Sequence, residues 1–295
     1  TANIWVNPAE IAANGIDDDA NGYIDDINGW DFLGSDNSPT DTDGHGTNVT
    51  GVVCARGQNS LGVTGVCWQA KAIILKDGDS VPQIALSAAG IVYAAMVGAV
   101  SCNFSTGYGG GSYPVLQSAV TTAQNLGMII AVAAGNSTLN LNTSIDYPAC
   151  YTNTNLIVVA ASDNVDGFAS FSNFGNVTAD VVAPGVDIYT TRRLSNSSYG
   201  FVSGTSFSAP MVAGAVALMR AYNPGATYTA VRTALISTCD VKPQFTGLVA
   251  SNGRINLHAA LVSLGTGAGA APSPNPMTFA AFPVAASSSS ITMTA

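Results

Sequence analysis

The sequence predicts an α/β fold with a mostly parallel central sheet covered by helices on both faces. Two observations carry this. Short, continuously apolar runs alternate with segments of helical spacing, as they do when strands are buried on both faces. Glycine- and asparagine-rich junctions fall where those runs end, and sheets of this kind gather their functional groups there. The chain has 295 residues and 47% hydrophobic content, enough for one large core.

The elements follow in order. Residues 1–44, rich in Asp, Asn and Gly, read as loop with short extended pieces. HGTNVTGVVCA, from His45, opens a helix. AKAIILK at 70–76 reads as a buried strand, 81–97 as a helix and AVSCNFS at 99–105 as a strand. VLQSAVTTAQNLG at 115–127 has helical spacing and stops at a glycine, a common helix end. MIIAVAAGN at 128–136 is a strand running into a tight turn, and 155–162 is another strand. A long helix over 206–222 ends at Asn223-Pro224, because the residue before a proline avoids helical geometry. Residues 265–295 are rich in Gly, Ala, Pro and Ser and read as a linker or disordered tail.

Composition removes several functions. Nine Lys plus Arg against eighteen Asp plus Glu leave no basic run to neutralise phosphates, so nucleic acid is excluded as a partner. No apolar stretch is long enough to span a membrane. The five cysteines form no CxxC pair and no zinc spacing. Charged residues are only 9%, a composition common in secreted proteins, and a secreted monomer is the expectation.

Three segments carry chemistry. In GTSFSAPMVAGAVAL, 204–218, Ser206 opens a helix whose free N–H groups and positive end favour a developing oxyanion. Pro210 reads as part of the first turn, and the small residues 209, 213 and 215 allow close packing. In DGHGTNVTGVV, 43–53, glycines flank His45, one of only two histidines. The other, His258, sits in an ordinary surface helix pattern. In AVAAGNST, 131–138, Asn136 stands at a strand end with two side-chain N–H donors.

Taken together, in the order His–Asn–Ser, these segments resemble the signatures of the subtilisin-like serine peptidases, the subtilase family: His-Gly-Thr-x-Val-x-Gly, the Ala-Ala-Gly-Asn turn and Gly-Thr-Ser-x-x-Ala-Pro. The resemblance covers about residues 1–262, with a catalytic domain over 1–264. It implies a three-layer α/β/α fold and a serine endopeptidase acting on peptide or protein substrates. Ser206 is then the nucleophile, His45 the general base and acid, and Asn136 the oxyanion donor. It implies a substrate-binding strand at Ser105 and Gly107, with Ala133 and Gly135 in the opposite wall of an S1 pocket that reads as roomy and apolar.

The chain departs from the family pattern twice. Asn48 stands where the family often has a second histidine. The triad aspartate, which the family carries at the end of an apolar strand upstream of the histidine, has no counterpart: Asp41 adjoins His45 without such a strand, and Asp31 lacks the glycine turn. The resemblance therefore places the aspartate before Thr1.

NGIDDDANGYIDDINGWDF, 14–32, predicts a structural Ca²⁺ site. Asp17, Asp19, Asn21, Tyr23 (through its carbonyl) and Asp25 have the spacing of a calcium loop, with Asn28 in place of the bidentate glutamate and Asp26 as a substitute. The competing reading of the whole is an inactive, calcium-stabilised scaffold or binding module. A different hydrolase is disfavoured by the lack of a G-x-S-x-G elbow.

Overall fold

The computed structural model describes residues 2–79, 82–265, 278–281 and 293–294. Its first half contains β1 (Gly29–Asp31), α1 (His45–Cys54), β2 (Lys71–Lys76), α2 (Ile84–Met96), β3 (Ser101–Phe104), β4 (Tyr108–Gly109), α3 (Pro114–Asn125), β5 (Ile129–Ala133) and β6 (Asp146–Tyr147). There follow β7 (Leu156–Ser162), β8 (Val181–Pro184), the hairpin β9 (Ile188–Thr191) and β10 (Tyr199–Val202), α4 (Thr205–Tyr222) and α5 (Tyr228–Ser237). Short strands β11 (Asp240–Val241) and β12 (Gly253–Arg254), then α6 (Leu257–Leu264), β13 (Thr278–Ala281) and β14 (Met293–Thr294), complete the described residues.

Among them one sheet runs β1-β2-β13-β14-β3-β5-β7-β8-β12-β11. Its spine is parallel: β3 pairs with β5, β5 with β7 and β7 with β8, all in parallel register. The apolar runs build it because both faces are covered. Ile130, Val132, Val158 and Ala160 pack into one core with α2 and α3, while Ile129, Ala131, Ala133, Ile157 and Val159 pack into a second core with α1, α4 and α5. Alternate residues of each strand thus enter opposite cores, as the period of two requires. This is the expected three-layer α/β/α arrangement.

β2 and β3 are not direct neighbours. The N–H groups of Ala72 and Ile74 bond to Asn3 and Asn28, so the alternation of a parallel ladder sends those of Ile73 and Leu75 to the opposite edge. Both residues are fully buried, so that edge needs a partner. β13 lies there, parallel to β2 with Ala280 opposite Ile73, and its Ala280 is also in register with Cys102 of β3. β14 runs antiparallel to β3. Residues 265–295, expected as linker or tail, fall mostly outside the described residues; the six that are described within β13 and β14 are strands. No described helix is long and apolar enough to cross a membrane. All five cysteines are free thiols.

Candidate active site

α4 brings Ser206 to the carboxyl edge of the sheet. It begins after Gly204, whose φ of 149° suits glycine, and Thr205, Ser206, Phe207, Ser208 and Ala209 are all buried. Pro210 is the sixth residue of α4 rather than part of its first turn, as the sequence suggested. A proline there cannot donate to the carbonyl four residues back, which belongs to Ser206. The Ser105 hydroxyl donates to that carbonyl instead, at 3.1 Å. The substitution ties the end of β3 to the first turn of α4. The Ser206 hydroxyl donates to the Ser105 carbonyl at 3.5 Å, a long contact that a rotation of the hydroxyl breaks.

Asn136 is held by α4 as well. Its Oδ1 accepts from both the N–H and the hydroxyl of Thr205, each at 2.9 Å. The same hydroxyl accepts from the Gly135 N–H at 3.0 Å. Oδ1 is thereby fixed, and Nδ2 is left as a donor beside Gly204 and the start of α4. Thr205, which sequence reasoning passed over, sets the orientation of this amide; its position next to Ser206 in Gly-Thr-Ser was the available signal.

His45 opens α1, which packs against α4. Asp41 anchors the loop before it: one oxygen accepts from Gly44 N–H at 2.7 Å and the other from Thr47 N–H at 2.9 Å. Thr190 and Thr191 of β9 donate their hydroxyls to the Asn48 and Thr47 carbonyls, both at 2.7 Å, clamping the first turn. The imidazole lies 5.6 Å from the Phe207 ring, centroid to centroid, so His45 packs beside the residue that follows Ser206. His45 is partly exposed, yet its Nδ1 is buried and has no hydrogen-bond partner among the described residues. Burial pushes the imidazole down to about 4, and the charge of Asp41 pulls only weakly the other way. Asp41 and Asp31, neither assigned from the sequence, are both otherwise engaged. Asp41 caps the α1 loop, while Asp31 pairs with Lys76 at 3.1 Å and accepts from Leu33 and Gly34. His258 is exposed on α6, which packs against α4 and α5.

Gly107 follows β3 and Gly135 follows β5, with Ala133 buried at the end of β5. The carboxylate of Asp146, which opens β6, reaches both glycines: a Cβ on Gly107 would meet its Oδ2 at 2.4 Å, and one on Gly135 would meet it at 3.5 Å.

The acidic loop differs from the spacing-based expectation. Asp17 accepts from the Asn21 and Gly22 N–H groups, and Asp25 accepts from Asn14 and Gly15, so both carboxylates hold the loop itself. Tyr23 packs its ring on Trp30, Phe32 and Tyr93. The carboxylates that converge are those of Glu10, Asp19 and Asp26, with one oxygen from each lying within 4.8 Å of the others. Asn21 joins this group through its amide, which donates to Asp19 and Asp26. Of the expected ligands, Asp19 lies in the cluster and Asn21 bonds to it, while Glu10 and Asp19 accept loop N–H groups just as Asp17 and Asp25 do. A fully buried Asp26 beside two further carboxylates is an oxygen donor set suited to a hard cation. Glu10 was missed because it lies outside the loop motif.

Comparison with known proteins agrees with this geometry. The sequence profile of the subtilase family matches residues 4–267. The chain is 37% identical over 234 residues to thermitase of Thermoactinomyces vulgaris, covering 79% of this chain and 80% of the relative. It is 35% identical over 235 residues to subtilisin BL of Lederbergia lenta, covering 78% and 81%. A solved protease structure from Pseudoalteromonas arctica PAMC 21717 superposes with a TM-score of 0.67 at 30% identity, covering 75% of this chain and 71% of that one. With its sheet, its Gly-Thr-Ser helix and this kinship, the chain belongs to the subtilase family of serine endopeptidases.

Proposed function

We propose that the chain cleaves peptide bonds through an acyl-enzyme formed on Ser206, with His45 as base and then acid and Asn136 as oxyanion donor. The observation that carries this reading is the fixing of Asn136 Oδ1 by Thr205, which frees Nδ2 at the N-terminal turn bearing Ser206. His45 takes the hydroxyl proton as Ser206 attacks the carbonyl carbon, and later gives that proton to the leaving amine. The oxyanion meets Asn136 Nδ2 and an N–H of the first turn of α4, which has no partner within the helix.

His45 Nδ1 lacks an orienting carboxylate among the described residues. We assign that role to an aspartate in sequence preceding Thr1. The secreted, monomeric character expected from composition belongs to the same proposal. The scaffold reading is favoured by one fact alone, the unpartnered Nδ1.

Reaction with a fluorophosphonate separates the two. A single adduct is expected on Ser206, found by peptide mass spectrometry and lost in His45→Ala. A full-length protein that gives no Ser206 adduct is a scaffold.

The Glu10–Asp19–Asp26 cluster is proposed as a structural Ca²⁺ site. A calcium ion there relieves the mutual repulsion of three carboxylates and takes no part in hydrolysis. Chelation is expected to lower the melting temperature, with stabilisation of about 2.7 kcal/mol when free Ca²⁺ is 100 times its dissociation constant. Asp19→Ala should remove the calcium dependence, and a melting curve insensitive to chelator would refute the site.

A further inference from the structure

Asp146 carries a carboxylate that nothing in the protein answers. Its Oδ1 is buried without a hydrogen-bond partner, and no Lys, Arg or His pairs with either oxygen among the described residues. Burial alone raises the carboxyl, to about 6, with no neighbouring cation to oppose the shift. An uncompensated carboxylate at such a position is costly unless a cation arrives to pair with it.

Its location says which cation. β6 pairs antiparallel with β4, Asp146 opposite Gly109, which brings the side chain back over the segment that follows β3. The carboxylate lies against Gly107 on one side and Gly135 on the other. Those are the two walls between which, on the proposed reading, the side chain preceding the scissile bond enters. Glycine at position 107 is what admits the carboxylate, since a Cβ there would clash with it at 2.4 Å.

We infer that Asp146 is the specificity-determining residue of the S1 pocket, selecting lysine or arginine on the acyl side of the cleaved bond. This rests on the serine-peptidase reading above and corrects the apolar pocket expected from the sequence. A charge-assisted hydrogen bond to the carboxylate contributes about 1.5–3 kcal/mol, which is on the order of 10- to 100-fold in rate.

The test is the rate at which peptidyl phosphonates, identical except for Lys or Phe at that position, label Ser206 in the full chain. A Lys:Phe ratio of about 10 or more is expected. Asp146→Asn should bring the ratio to about one or below, and Asp146→Lys should favour a Glu probe over the Lys probe. A ratio below one in the parent chain, or one unmoved by Asp146→Asn, overturns the assignment. A fluorophosphonate, which has no side chain to enter the pocket, keeps the two readings apart. If it labels Ser206 while the Lys preference is absent, only the specificity assignment falls. If it also fails to label, the serine-peptidase reading falls, and this inference with it.

Discussion

Extending the chain before Thr1 so that a carboxylate faces His45 Nδ1 is expected to raise kcat by about 10⁴-fold over the chain that begins at Thr1. The reason lies in one atom. Nδ1 is buried and unpartnered among the described residues, so the neutral ring has nothing to hold its tautomer, and the imidazolium that forms as Ser206 loses its proton meets only the weak pull of Asp41. The same change predicts a shift in the pH profile. His45 acts as a base only when neutral, and burial holds its imidazole near 4, so the acid limb of Ser206 labelling should lie near pH 4 in the chain starting at Thr1. A facing carboxylate favours the charged ring and raises its pKa, so the limb should move upward in the extended chain. Labelling rates across pH 3–8 for both chains check both statements. Equal rates and superimposed limbs would refute the role given to the carboxylate.

Replacing Asn136 with alanine is expected to lower kcat by about 10²–10³-fold with little change in KM. The oxyanion exists only after attack, so losing Nδ2 weakens the transition state and spares substrate binding. Asn136→Asp keeps an oxygen where Thr205 donates and removes the donor, so it should be no better than alanine. Thr205→Val, which leaves the amide in place and removes one of its two anchors, should cost less. A larger loss for Thr205→Val than for Asn136→Ala would mean that Thr205 acts in some way other than by holding the amide.

The sequence exposed the parts of the molecule that depend on local pattern. The strands Lys71–Lys76, Ile129–Ala133 and Leu156–Ser162 were legible because their central residues are continuously apolar, as a stretch facing two cores must be. His45, Asn136 and Ser206 were legible because each sits in a glycine-rich junction of distinctive wording. What escaped depends on contacts across the fold. Pro210 looked harmless in a first turn, whereas it frees the Ser206 carbonyl for a serine about a hundred residues away. The calcium spacing does not reach Glu10, which joins Asp19 and Asp26 from outside the motif. Asp146 gives no signal in sequence, because its meaning comes from Gly107 and Gly135, which only the pairing of β4 with β6 brings beside it.

All of this presumes that three side chains distant in sequence meet around one carbonyl. A crystal structure of the Ser206 phosphonate adduct is the direct measurement. The account predicts the phosphonyl oxygen within hydrogen-bond distance of Asn136 Nδ2 and the His45 imidazole bonded to an oxygen of the adduct. An adduct whose oxygen points away from Asn136, with the imidazole out of reach, would contradict it.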